Sequence, residues 1–273
     1  MACKDVKQSG RHILSLSGGK DSTALAVYMR GRVPEMEYVF CDTAKELRET
    51  YEYLDRVEAY LGKPIVRLKQ TADAFDNLLA NRRNFLPSPQ MRWCTEELKI
   101  KPFERYVGDD QVISYIGIRA DENRKGYISS KPNIKARYPF IEDGITKEDV
   151  LRLLDESGLG LPTYYDWRSR SGCYFCFFQQ RIEWVGLLEN HPDLFEKAKG
   201  YEKEDPVTGR RYSWVARESL EELSRPERVA QIKAEHLQRL QDLQHRRANL
   251  TLIQLLAEES DSERERACLI CEL

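Results

Sequence analysis

Two groups of residues in this chain have the types and spacing to do chemistry. The first is the run Ser17-Gly18-Gly19-Lys20-Asp21-Ser22. The short apolar run His12–Leu16 before it fits a buried parallel strand. The run Thr23–Met29 after it carries apolar residues at helical spacing. A glycine turn between a strand and a helix directs backbone N–H groups and a helix N-terminus toward an anion. Gly18 and Gly19 let the main chain approach phosphate oxygens, and Lys20 adds a compact positive charge. Ser17 and Ser22 supply hydroxyl donors. An ordinary glycine turn is the plain alternative, and the flanking strand and helix patterns weigh against it. The spacing differs from a Walker A loop, which places two glycines five apart before Lys-Ser/Thr.

The second group is made of cysteines. Cys173-Tyr174-Phe175-Cys176 is a C-x-x-C, and two thiolates at that spacing can turn onto one metal or one cluster. Cys94 lies in Arg92-Trp93-Cys94-Thr95, just ahead of an expected helix, where the dipole favours thiolate. A second pair, Cys268 and Cys271, falls at the end of the sequence given. Cys3 and Cys41 stand alone and read as small apolar residues. Three uses compete. Cys94, Cys173 and Cys176 could hold a 4Fe–4S cluster, with the fourth iron open or taken by Cys268 or Cys271. The two C-x-x-C pairs could hold zinc, or one pair could be a redox dithiol.

Positioning these groups requires alternating strands and helices. Tyr38–Asp42, Pro64–Leu68 and Val112–Gly117 read as strands, and Leu47–Leu61 as a helix. Thr95–Tyr106 reads as a second helix, with Thr95 as N-cap and Glu96 and Glu97 suiting its dipole. The pattern implies an α/β fold, a doubly wound, mostly parallel sheet with ligands at the carboxyl ends of its strands. Asp42 would then sit beside a ribose or adenine, or serve as a turn residue. Residues 119–137 form a polar loop with Arg119, Arg124 and Lys125 among its cations; solvated surface charge is the plain account, and the position beside the expected nucleotide site favours phosphate binding. A helix over Thr146–Leu154 has Thr146 as N-cap and Asp149 in its first turn. Glu218–Glu258 predicts one or two charged helices with an apolar stripe through Leu237, Leu240, Leu243, Leu250 and Ile253. That stripe suits packing on the core or on a partner. The expected division is 1–165 for the nucleotide domain, 166–215 for a C-x-x-C segment packed on it, and 216–273 for a helical extension.

Composition bounds the function. A chain of 273 residues, 41% hydrophobic, can bury one sizeable core and an appendage. The formal net charge is −2, so contact with nucleic acid must come from local basic patches. No apolar run approaches the roughly 20 residues of a membrane span, and no secretory leader is evident, so a cytoplasmic location without a membrane partner is the expectation. Seven cysteines in such a chain point to metal or redox chemistry before disulfides.

Ser17–Ser22 resembles the PP-loop of ATP pyrophosphatases, Ser-Gly-Gly-x-Asp-Ser, which cleave ATP between its α and β phosphates. Arg92–Pro102 is similar to the Arg-Cys-Cys…Lys…Pro segment of the related adenylylsulfate and phosphoadenylylsulfate (PAPS) reductases, with Trp93 in place of the first cysteine. Gly117–Arg124 is similar to their phosphate-binding stretch. Their terminal Glu-Cys-Gly-Leu/Ile-His motif is missing, although Cys268 and Cys271 remain. Ser171–Leu194, with Gln179–Trp184 and Asn190-His191-Pro192, looks most like the PP-loop proteins of DNA phosphorothioation, the Dnd and Ssp systems.

The resemblance implies an adenine nucleotide alpha hydrolase-like fold and an ATP-dependent sulfurtransferase that releases AMP and pyrophosphate. ATP and Mg²⁺ would sit on Ser17, Gly18, Gly19, Lys20, Asp21 and Ser22, with Asp42, Arg92, Arg119 and Arg124 around them. Lys20, Asp21 and Arg119 would be catalytic, and Cys94, Cys173 and Cys176 would ligate the cluster. A cysteine desulfurase would donate sulfur, and DNA or another nucleic acid would accept it, alongside other modification proteins. A PAPS reductase releasing sulfite, and a non-catalytic nucleotide-sensing subunit with zinc, are the alternatives. His191 is a candidate acid or base, or an N-cap residue before Pro192.

Overall fold

The computed structural model describes residues 10–123, 129, 131–204, 209 and 211–249. Strand β1 (Arg11–Leu16) runs into helix α1 (Lys20–Met29), then β2 (Glu37–Phe40), α2 (Arg48–Leu61), β3 (Ile65–Arg67) and α3 (Ala74–Asn81). Helix α4 (Trp93–Thr95) continues without a break through a π-helical segment, Glu96–Ile100, into α5 (Lys101–Val107). Strands β4 (Val112–Tyr115) and β5 (Ile134–Arg137) complete the main sheet. Beyond it come α6 (Pro139–Glu142), α7 (Lys147–Glu156), a 3₁₀ turn over Thr163–Asp166, α8 (Arg181–Asn190) and α9 (Pro192–Gly200). A short hairpin of β6 (Lys203–Glu204) and β7 (Arg211–Tyr212) precedes α10 (Leu220–Leu223) and α11 (Pro226–Asn249).

The five strands are all parallel, in the order β3-β2-β1-β4-β5. Ile13, Leu14 and Leu16 of β1 are wholly buried, as the central strand of a sheet covered on both faces must be. Leu25, Leu54, Val57, Phe140 and Leu154 pack on one face; Phe103 and Val107 of α5 pack on the other with Val39 and Val112. The expected doubly wound, mostly parallel sheet is therefore present. A separate aromatic core gathers Phe75, Trp93, Phe175, Trp184 and Trp214 with α8, α9 and α10.

Three expectations need correction. Thr95 is not an N-cap: the helix starts two residues earlier, with Arg92 as cap, so Cys94 lies in its first turn. Pro102 has no N–H to offer the carbonyl of Leu98, and the turn ahead of it widens to the π form. Residues 119–137 are not all loop, because Ile134–Arg137 add a parallel edge strand to β4. In α11 the residues on the core are Ile232 and Val229, whereas Leu237 and Leu240 are exposed. Leu250 and Ile253 lie outside the described residues. The helix at Thr146 is as expected: the Thr146 N–H donates to Asp149 at 2.9 Å in a capping box.

Gly18 shows why the turn after β1 needs glycine. Its φ is +73°, and a Cβ there would stand 2.7 Å from Thr50 Cγ2 on α2. Gly62 also has positive φ (+66°) but open space around it. Gly62→Ala should therefore cost only the conformational part, about 1 kcal/mol, and Gly18→Ala more, roughly 1–3 kcal/mol. Urea midpoints compared at constant m-value check the order; equal losses would remove the steric argument.

Candidate active site: an anion loop beside a thiol cavity

In an open parallel sheet, ligands bind outside the carboxyl ends of the strands where the strand order reverses. Here that point lies between β1 and β4. Ser17–Ser22 leave β1 and Ile116–Arg119 leave β4 at the same edge. The two turns touch, since a Cβ on Gly117 would lie 3.0 Å from the Asp21 carbonyl oxygen.

The loop is held in shape from inside and from outside. The Ser17 N–H donates to Ser22 Oγ at 3.1 Å, the Ser22 hydroxyl donates to the Gly19 carbonyl, and the Gly19 N–H donates to Ser17 Oγ. From a distant part of the chain, the Tyr164 hydroxyl donates to the Gly18 carbonyl at 2.7 Å. The Tyr165 hydroxyl accepts the Lys20 N–H at 3.0 Å, and the Ser171 hydroxyl donates to Ser17 Oγ at 3.1 Å.

Charge at the switch point is concentrated on a buried cluster. Arg119 is 1% exposed; its guanidinium reaches Asp21 at 2.7 Å, Asp121 at 3.0 Å and Glu122 at 2.7 Å. Lys20 Nζ lies 3.2 Å from the other Asp21 oxygen and 5.7 Å from the Tyr165 ring centroid. Burial works to raise the Asp21 pKa, but Lys20 and Arg119 outweigh it and hold the carboxylate below its ordinary range. Burial likewise pulls Lys20 down, and Asp21 together with Tyr165 more than reverses it. Both groups are thus charged at neutral pH.

The cysteines sit close by. Cys94, Cys173 and Cys176 line one cavity together with Thr43, Leu98 and Lys99. The two residues inside the C-x-x-C act as anchors. Phe175 is buried with its ring centroid 4.4 Å from Phe75 and 5.1 Å from Trp214, and the Tyr174 N–H donates to the Lys45 carbonyl. A Cys176 N–H to Cys173 carbonyl bond closes the turn. Buried Arg168 donates to the carbonyls of Gly172 and Cys173 at 3.0 and 2.9 Å. Cys173 Sγ lies 3.2 Å from Thr43 Oγ1 and 3.7 Å from Glu46 Oε1. Burial first, and then Glu46, push the Cys173 thiol well above its usual range, so the metal-free thiol is protonated. Burial also raises Glu46, and pushes Cys41, on the far side of Lys99, up to about 11.

The three thiols line one cavity, and the ligands of a cluster are spread over several irons. Among the described residues no three His, Cys, Asp or Glu side chains gather at a single ion position, as a zinc ion with sulfurs about 2.3 Å away would need. Arg124, Cys268 and Cys271 lie outside the described residues.

The loop after β1 and the C-x-x-C segment meet at Ser171, which bonds Ser17 and stands two residues before Cys173. Asp42 reaches the same region: its Oδ1 accepts from the Ala44 N–H and the Tyr51 hydroxyl, which makes it the turn residue ahead of Thr43. Arg92 is on the thiol side, against the Pro89 carbonyl and the Phe178 ring. His191 occupies the N-cap position of α9, and its Nε2 lies 2.7 Å from Glu49 Oε1. Tyr164, Tyr165, Arg168 and Glu46 went unnoticed in the sequence. Only Ser171, beside the C-x-x-C, carried a local signal.

The cluster around Asp21 makes a testable claim about acid stability. Its ionised form is favoured by folding, so its contribution is complete above the ordinary pKa of 3.8 and fades as pH falls through the lower folded value. Asp21→Asn should flatten the loss of stability below about pH 4. Arg119→Met, which strands buried carboxylates, should cost roughly 3–5 kcal/mol at pH 7. Chemical denaturation across pH measures both; a D21N profile parallel to wild type would refute the assignment.

Comparison with known proteins places this site in a family. An uncharacterized protein of Methanocaldococcus jannaschii is 26% identical over 200 residues, 68% of this chain and 40% of that one. This chain therefore spans less than half the length of that relative. The tRNA-specific 2-thiouridylase MnmA of Buchnera aphidicola is 24% identical over 124 residues, 41% of this chain and 34% of that one. Among solved structures, the PAPS reductase of Candida auris overlays with a TM-score of 0.46 at 13% identity, covering 63% of this chain and 85% of its own. The U34-tRNA thiolase NcsA of Methanococcus maripaludis, solved with its [4Fe-4S] cluster, gives 0.42 at 19%, covering 73% and 74%. Both overlays are loose. The phosphoadenosine phosphosulfate reductase domain model matches residues 11–176, more than half of the 273, a span that holds the anion loop, Arg119 and all three cavity thiols. The chain belongs to the phosphoadenosine phosphosulfate reductase domain family.

Proposed function

We propose that this protein is a cytoplasmic ATP-dependent sulfurtransferase that adenylates an acceptor oxygen and replaces it with sulfur. The observation that carries the reading is the Ser171–Ser17 hydrogen bond, which ties the loop after β1 to the segment that bears the C-x-x-C. The sequence relationship to a tRNA 2-thiouridylase supports sulfur transfer. The acceptor we favour is a nucleic acid, with the DNA backbone as in phosphorothioation the specific case.

In this reading ATP lies on the Gly18–Ser22 amides, with Mg²⁺ on its phosphates. The acceptor oxygen attacks the α-phosphorus and pyrophosphate departs, its charge met by Lys20 and the loop amides. Asp21 and Arg119 position Lys20 and the β4 turn. Sulfide, released by a thiol reductant from the persulfide of a partner such as a cysteine desulfurase, then attacks the adenylated acceptor, and AMP leaves with the original oxygen. Cys94, Cys173 and Cys176 would hold a 4Fe–4S cluster, which supplies a Lewis-acidic iron that can bind sulfide. Among the described residues no helix is long and apolar enough to cross a membrane.

Labelled ATP incubated with single-stranded DNA or RNA and a sulfide source should yield AMP and pyrophosphate; ADP and phosphate would sink the proposal. Lys20→Ala should slow AMP formation roughly 100-fold or more. The family name favours a second reading, sulfite release from PAPS with a thiol reductant. Sulfite formation without ATP, lost on replacing Cys268 or Cys271, would decide for it. Iron and sulfide in the purified protein, lost together in Cys173→Ala, test the ligands independently of turnover.

A further inference from the structure

Phe178, two residues beyond Cys176, is half-buried and carries two guanidinium groups. Arg92 and Arg170 each place their Cζ 5.0 Å from its ring centroid. The neighbouring ring of Phe177, 4.4 Å away, lines the cavity that holds the three thiols. The two cations come from different parts of the site. Arg92 is the N-cap of the helix that carries Cys94, and its Nε is fixed on the Pro89 carbonyl at 3.0 Å. Arg170 precedes Ser171, the residue that bonds the anion loop.

An aromatic ring that orients two planar guanidinium forks makes a receptor for phosphate oxygens. Each cation–π contact holds its guanidinium against the ring. A phosphate group that meets these forks uses the bidentate geometry of arginine. The loop that presents Arg92 also exposes its neighbour Met91, 50% accessible, so a cation and an apolar side chain stand side by side in the chain. That combination suits a flexible polynucleotide strand, whose phosphates take the arginines and whose bases take the apolar surface. The phosphates of ATP have their own amides on the other side of Ser171.

We propose that Arg92, Phe178 and Arg170 form a clamp for a backbone phosphate of a single-stranded nucleic acid acceptor, holding it at the mouth of the thiol cavity. The proposal rests on the adenylation reading for the meaning of "acceptor", but the clamp is measured without turnover.

Fluorescence anisotropy with a labelled single strand of about 16 nucleotides, DNA and RNA in turn, tests it on the full chain. Arg170→Ala and Phe178→Leu should each raise Kd about tenfold, and Arg170→Ala should lower the slope of log K against log salt by about one. Arg170→Lys, which keeps charge but loses the planar fork, should fall between wild type and Arg170→Ala. ATP affinity, measured separately, should stay within about twofold in all three. Thermal melts confirm that each variant is folded, and any one that keeps its melt is sufficient. Unchanged oligonucleotide affinity in the folded variants overturns the clamp, as does a parallel loss of ATP affinity, which would assign these arginines to the nucleotide. Clamp-dependent binding without AMP formation supports the clamp and removes the adenylation reading; AMP formation with clamp-independent binding does the reverse.

Discussion

The buried pairing of Asp21 with Arg119 joins the two turns on which the site is built. One turn leaves β1 and the other leaves β4, and nothing in a parallel sheet alone requires them to stay in register past the last strand hydrogen bond. The ion pair does so, with the Asp21 carboxylate shared between Arg119 and Lys20. An arginine this deeply buried is tolerable only when its charge is met, and Asp21, Asp121 and Glu122 meet it. The result is a floor that fixes Lys20 beside the loop, with its charge met by Asp21.

A second constraint ties the thiols to that floor. The C-x-x-C turn is anchored by Phe175, driven into an aromatic core with Phe75 and Trp214, and by Arg168 on the turn's carbonyls. Trp93 belongs to the same core, stacked on Phe75 at 5.2 Å with its indole N–H on the Phe85 carbonyl. A position that is a cysteine in similar reductases has here become part of the packing. Among the described residues the cavity's sulfurs are those of Cys94, Cys173 and Cys176, and apolar contacts set the turn that presents two of them.

Much of this could be read from the residues. The loop was legible because Gly18-Gly19 sits between a strand pattern and a helix pattern, and the three cavity cysteines because thiols in a chain of this composition need a use. Strand β5 was not, since Ile134-Lys135-Ala136-Arg137 is short, lies at the sheet edge and looks like part of a basic loop. Arg119 was found as a cation beside the nucleotide site, but its carboxylate shell depends on a turn that brings Asp121 and Glu122 back onto it. Tyr164, Tyr165 and Arg168 were out of reach because their partners are backbone atoms far away in sequence, and no local spacing marks such a bond.

The Tyr165 hydroxyl has a consequence of its own. It already accepts the Lys20 amide, so an anion entering the loop gains that amide only by exchanging places with a neutral oxygen. The free energy of that step is the difference between two hydrogen bonds, not the full value of one. When the anion leaves, the same hydroxyl returns to the amide, so departure regains a hydrogen bond that entry gave up. Tyr165 is in that sense a resident competitor for the Lys20 amide.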